Sequence, residues 1–281
     1  MCLPSRRPLS ALSPELDTRT VRRRFARAAR TYAGASRLEA EVGSRMLERL
    51  DYVKLAPKRI LDAGSGSARE ARALGRRYAG AEIVALDFAL STLTVPGFID
   101  RVLGRSLLTV CADMEHLPFA AQSFQLVWSN MALHWVNEPL AVFREFERAL
   151  SPEGLLMFST LGPDTLKELR ASAGEARVHR FIDMHDLGDL LVAAGFSAPV
   201  MDMELITIEY AKGARLLDDL RASGQTNARR DRARGLSGRR LLAQLRDLSP
   251  RATYEVVYGH AWKRPASDAS VKTVRVFKSI S

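Results

Sequence analysis

"ILDAGSGSARE" (Ile60–Glu70) reads as a short apolar strand that breaks into a glycine loop and resumes as a helix. Such a unit lets an α/β sheet turn backbone N–H groups toward a ligand at a helix start. The loop carries Gly64 and Gly66, but Ala68 stands where a third glycine is expected. Ala68 is expected to lie already inside the helix, where a methyl group costs little.

The pattern continues outward from this stretch. "KRILDAG" is a strand and "AREARALGRRYA" a helix. "AEIVALD" (Ala81–Asp87), "SLLTVCAD" (Ser106–Asp113), "FQLVWSN" (Phe124–Asn130) and "GLLMFST" (Gly154–Thr160) are further strands. The stretch leading to Arg105 contains Pro96 and Gly97, so its helix is short or broken. "NEPLAVFREFERAL" (Asn137–Leu150) is a helix with an expected Asn cap and acidic first turn. Five β-α units at this rhythm predict a parallel sheet with helices on both faces.

Beyond Thr160 the rhythm changes. "GPDTLKELRASAGEA", "DMHDLGDLLVAAGF", "GARLLDDLRASG" and "SGRRLLAQLRDL" read as helices, with His185 and Asp186 as caps in preference to metal ligands. "PVMDMELITIEY" (Pro199–Tyr210) is a strand, and "ATYEVVYGHAWKR" (Ala252–Arg264) a final antiparallel one. Upstream, Thr20 to Leu50 is helical, with Val42, Met46, Leu47 and Leu50 on one face.

Bulk properties narrow the class. With 47% hydrophobic and 26% charged residues the 281-residue chain fits an ordinary globular protein. No apolar run approaches the roughly 20 residues of a bilayer span. The basic start, "MCLPSRRPLSALSPEL", lacks the apolar core of a secretory signal and reads as a disordered leader. Cys2 and Cys111 fit neither a disulfide nor a metal site, and a cytoplasmic setting is the natural reading. The net charge of +10 is concentrated in Arg19–Arg30 and Asn227–Arg240. It suits an acidic partner, but no interleaved aromatics or zinc-finger spacing support a nucleic-acid reader.

Ligands of open α/β sheets bind beyond the carboxyl ends of the strands. Here those ends read Asp62-Ala63-Gly64, Asp87-Phe88, Asp113-Met114 and Asn130. A dinucleotide fingerprint requires glycine where Arg69 stands, and a phosphate loop requires Gly-Lys-Ser/Thr, which is absent. Asp62 would repel a phosphate but suits an ammonium group. Asp87 can accept two ribose hydroxyls, Asp113 an adenine amine, and Met114 offers the ring an apolar face. S-adenosylmethionine (SAM) accounts for all of them, with Ala63, Ser65, Phe88 and Asn130 completing the lining.

The set "ILDAGSGSA", "IVALD", "CADMEHLPFAAQSFQLVWSNMALHWV" and "ALSPEGLLMFST" resembles the class I SAM-dependent methyltransferases over residues 55–165. The flanks "FARAARTYAGASRLEAEVGSRMLERL", "FSTLGPDTLKELR" and "RFIDMHDLGDLLVAAGFSAPVMDME" resemble the malonyl-acyl-carrier-protein O-methyltransferases of biotin synthesis. A sister group, the complex I assembly factors, shares "LHWVN" and the "DLG-x-LL-x-x-AGF" pattern, and some of its members hydroxylate protein arginine. The resemblance implies a mostly parallel seven-stranded Rossmann-like sheet with the last strand antiparallel. It implies a leader (1–19), a helical lid (20–54), a methyltransferase domain (55–264) with a helical insertion near 211–250, and a tail (265–281).

By the same resemblance the substrate is malonyl-acyl-carrier protein or malonyl-CoA. A free carboxylate is ionised near neutral pH, so no general base is required. Tyr32, His134, Trp135, Arg170, His179 and Arg180 are the candidates for positioning it, and an arginine would orient it by a bidentate contact. No metal is expected. Arg229–Arg240 is the expected dock for the acidic carrier.

Overall fold

The computed structural model describes residues 16–93, 107–232 and 249–266. The expected helix at 237–248, the weak one before Arg105, and most of the leader and tail lie outside them. Seven strands form one sheet: β1 (Arg59–Ala63), β2 (Glu82–Asp87), β3 (Leu107–Cys111), β4 (Phe124–Ser129), β5 (Leu150–Leu161), β6 (Ser197–Glu209) and β7 (Arg251–Trp262). Their order is β3-β2-β1-β4-β5-β7-β6. β1 to β5 pair in parallel, whereas β7 runs antiparallel to both β5 and β6. The order reverses beside β1, so the ends of β1 and β4 flank a crevice.

Adjacent residues on each central strand serve opposite cores. Ile60, Ile83, Leu126 and Leu155 join one, with Val42, Met46, Leu50 and Leu74 from helices. Leu61, Val84, Val127 and Leu156 join the other, with Phe143, Phe146, Leu187 and Leu191. The near-continuous apolar runs of these strands follow from that double burial. The helices are α1 (Thr18–Ala35), α2 (Arg37–Arg49), α3 (Arg69–Arg77), α4 (Pro139–Ala149), α5 (Lys167–Ala173), α6 (Met184–Ala194) and α7 (Ala214–Ala222).

Several local expectations are corrected. The N-terminal helix is two helices, divided at the buried Ser36. The leader ends earlier than residue 19, because Leu16 is fully buried and Asp17 caps α1 by accepting the Thr20 N–H at 3.1 Å. Glu138, not Asn137, is the N-cap residue of α4, with Pro139 in its first turn. The Asn137 amide instead clasps the Leu16 backbone from both sides, Oδ1 accepting at 2.7 Å and Nδ2 donating at 3.2 Å. Asp183, rather than His185 or Asp186, caps α6 by accepting the His185 N–H at 2.8 Å. Only Lys167–Ala173 of the expected helix after β5 is α-helical.

Candidate active site

The glycine loop hangs from β2. The Gly64 and Ser65 N–H groups donate to the Leu86 carbonyl at 2.8 and 3.0 Å, and Gly66 N–H donates to Asp87 Oδ2 at 2.9 Å. Asp87 Oδ1 accepts the Ala89 N–H at 2.9 Å, so one carboxylate ties the loop to the end of β2. Burial pushes the Asp87 carboxyl upward, against the pull of these N–H donors. Gly64 has φ +81°, and a Cβ there would lie 2.4 Å from the Ala132 Cβ. Gly66 has φ +48°, and a Cβ there would press on the Tyr32 ring at 3.1 Å. Both glycines are therefore required by conformation and by close approach.

Ala68 departs from expectation. It is the residue before α3, with φ 56° and ψ 31°, in the left-handed region and fully buried. That region costs an L-residue about 1–2 kcal/mol. Glycine would remove this cost but lose a buried methyl and about 0.5–1 kcal/mol of chain entropy. Ala68→Gly is thus expected to leave thermal stability and S-adenosylhomocysteine affinity nearly unchanged, as checked by denaturant unfolding and calorimetry.

A cavity of about 550 Å³ opens beyond the strand ends. The predicted Gly64, Gly66, Asp87, Phe88, Asp113, Met114 and Asn130 all line it, as do Tyr32 and Trp135. Asp113 Oδ1 accepts the Glu115 N–H at 3.0 Å, which fixes its turn. Asp62, Ser65 and Asn130 line a smaller recess behind it, and Ala63 is buried within β1. Two glycines pressed against side chains, carboxylates at three strand ends and an apolar flank from Met114 fit SAM. The fit includes an unpartnered buried Asp62 Oδ2.

The lid roofs this cavity. Phe25 of α1 meets Trp135 edge-on at 5.1 Å and Phe88 at 6.0 Å, within an apolar cluster that includes Leu16, Val21 and Ala228. Trp135 also separates the main cavity from a small pocket lined by His134, His179, Phe181 and Tyr254. Its ring stands 4.8 Å from His179. Burial holds His134 down at about 3, with the neighbouring His179 adding to it, and His179 at about 4, with the positive charges of Arg24 and Arg229 adding to it. His179 Nε2 accepts the Ala228 N–H at 2.8 Å, which assigns its proton to Nδ1.

Other expected residues go elsewhere. Arg170 donates to the Pro163 and Thr165 carbonyls at 2.8 and 3.1 Å and pairs with Glu175; it lines neither cavity. Arg180 is exposed and lines neither. Arg229 is buried against Asp231 and the Val178 carbonyl, and Arg232 pairs with Asp17 at 3.3 Å. The arginines at the cavity mouth are Arg19, Arg22 and Arg23 of α1. Sequence reading also passed over Glu39 and Glu70, which line the recess. Tyr32 lies on α1 and Glu39 on α2, so no single helical face joins them and no local spacing signals that both reach the recess. No cluster able to hold a metal occurs among the described residues. None of their helices is long and apolar enough to cross a membrane.

A methyltransferase-domain family pattern matches residues 61–158. The YcgJ protein of Bacillus subtilis shares the fold with TM-score 0.57, at 17% identity, over 79% of this chain and 98% of that one. Fold and site together define a class I SAM-dependent methyltransferase. A Methylovorus malonyl-acyl-carrier-protein O-methyltransferase is 50% identical over 89% of this chain and 90% of its own. Its Gallionella capsiferriformans counterpart is 48% identical over 88% and 91%. The chain belongs to the malonyl-acyl-carrier-protein O-methyltransferase family.

Proposed function

We infer that the protein esterifies the free carboxylate of a malonyl thioester carried on acyl-carrier protein, at the start of biotin synthesis. The observation that carries this is the match to curated relatives along nearly the whole chain, lid and substrate side included. SAM supplies the electrophilic methyl group. The strand-end carboxylates and the glycine loop would orient the cofactor, and the apolar cluster of α1 with Trp135 would shield the reacting groups from water. The acceptor carboxylate is ionised without help, so the chain need only avoid quenching it. Imidazoles held neutral at His134 and His179 meet that requirement. Incubating the protein with methyl-labelled SAM and malonyl-carrier protein should give a base-labile methyl ester. No ester, with S-adenosylhomocysteine still bound, would overturn the reading.

The carrier's dock is the exposed face of α1. Arg19, Arg22, Arg23, Arg27 and Arg30 recur at helical spacing on that face, and three of them reach the cavity mouth. The alternative dock at Arg229–Arg240 is weakened by the internal partners of Arg229 and Arg232, while Arg239 and Arg240 lie outside the described residues. Arg27→Glu with Arg30→Glu should raise KM for malonyl-carrier protein by about tenfold and flatten its salt dependence. The kinetics with malonyl-CoA should barely change. An equal change with both thioesters would remove α1 from docking.

A further inference from the structure

Behind the main cavity, and sharing Tyr32, Gly64 and Asn130 with it, lies the recess of about 10 Å³. It is large enough for one group the size of a water molecule. Its walls bring together residues from four elements: Ser36 and Glu39 from the lid, Asp62 from the end of β1, Ser65 from the loop, and Glu70 from α3. Among the described residues eight buried side-chain polar atoms lack a hydrogen-bond partner, and four of them line this recess: Ser36 Oγ, Glu39 Oε1, Asp62 Oδ2 and Ser65 Oγ. Glu39 is 7% exposed and Asp62 1%. Unsatisfied carboxylate oxygens at such depth are costly unless a donor is delivered to them.

The nearest cation does not deliver it. Arg69 donates to the backbone carbonyls of Ser36 at 3.3 Å and Ala33 at 3.1 Å. Asn130 Nδ2 donates to the Glu39 carbonyl at 2.8 Å and reaches Glu70 Oε1 at 3.4 Å, which holds α2 and α3 together and leaves the Glu39 carboxylate aimed at the recess. What fits is a compact donor of positive charge with several N–H groups, continuous with a ligand in the main cavity. We propose that Glu39, on lid helix α2, accepts the α-ammonium group of the bound cofactor, so that the lid selects an intact amino-acid tail. The inference rests on SAM as cofactor and not on the identity of the acyl substrate.

The proposal carries a proton balance. Burial, with the like charge of Glu70, pushes the Glu39 carboxyl up to about 7, opposed by its own backbone N–H and by Arg69. Asp62 and Glu70 are raised as well, first by burial. The other titratable groups around the recess are Tyr32, Tyr254 and Asp87, none of them cationic near neutral pH. In the free protein Glu39 therefore holds a proton below about pH 7, and an arriving ammonium group displaces it. Affinity for a ligand with the ammonium group should rise with pH through this range. The stability that neutral Glu39 lends the free protein is complete below its unfolded pKa. It is lost as pH climbs through about 7.

The test compares S-adenosylhomocysteine with 5′-methylthioadenosine, which keeps the nucleoside and lacks the amino-acid end. In calorimetry near pH 8, Glu39→Gln should weaken the first ligand by about tenfold or more and the second by less than about twofold. Repeating the titration near pH 7 in buffers of different ionisation enthalpy should show proton release with the first ligand alone, diminished in the variant. Equal loss for both ligands, or an unchanged affinity for S-adenosylhomocysteine, would overturn the assignment. The wild-type protein gives an independent reading, for use if the variant does not fold. The ratio of the two affinities should rise between about pH 5.5 and pH 7.5, and a flat ratio would sink the proposal.

Discussion

Replacing Asp87 by alanine is expected to weaken S-adenosylhomocysteine and 5′-methylthioadenosine alike, by about a hundredfold or more. Two consequences combine. The carboxylate accepts the Gly66 and Ala89 N–H groups at 2.9 Å each, so its loss frees the loop and the turn after β2 together. Hydrogen bonds to a charged group contribute about 1.5–3 kcal/mol each, and part of that is transmitted to binding through the loop. The carboxylate proposed to accept the ribose hydroxyls is lost as well. Because all of this acts on the nucleoside half, the two ligands should suffer equally, unlike the response foreseen for Glu39. Asp87→Asn retains one carbonyl acceptor and should fall between. Calorimetry with both ligands checks this, and selective weakening of S-adenosylhomocysteine would move Asp87 out of the ribose site.

Gly64→Ala should have the largest effect on stability of any single methyl added to the site. The new Cβ would sit 2.4 Å from the Ala132 Cβ, in a backbone conformation of φ +81°. Overpacking costs about 1–3 kcal/mol and the left-handed backbone about 1–2 more. A loss of about 3–5 kcal/mol is expected, enough to lower Tm by roughly 10 °C in a domain of this size. Cofactor binding should vanish with it, because Gly64 lines both the cavity and the recess. Adding Ala132→Gly removes the clash but not the backbone cost, so the double variant should recover part of the stability. No recovery would mean that the backbone conformation alone is responsible.

Strand-end chemistry was legible in the sequence because a parallel sheet leaves little freedom there. Once β1 to β4 are placed, Asp87, Asp113 and Asn130 must fall on one edge beside the glycine loop. Lid polarity was not legible. Glu39 on an amphipathic helix reads as a solvated residue, and only the docking of α2 on α3 and Asn130 buries it. Arginines misled in the opposite sense. Arg170 and Arg229 have the charge to bind a carboxylate, but the fold supplies carbonyl and carboxylate acceptors from nearby loops, and no local pattern reveals those. Ala68 shows a third limit: alanine carries no signature of a left-handed backbone, so the loop's last turn looked like the first turn of a helix.

The position of β7 in the sheet has a consequence during synthesis. It is the last of the described strands, yet it lies between β5 and β6. While the ribosome is still adding residues before Arg251, β5 has an open edge and β6 has no sheet to join. β6 also carries the exposed Val200, Met203 and Leu205. A nascent chain in that interval presents two unpaired strand edges, one of them apolar, which are templates for aggregation. A stop codon just before Arg251 would therefore cost two strands rather than one. Such a product should be found with chaperones or in inclusion bodies, even though every residue of the cofactor cavity has been translated.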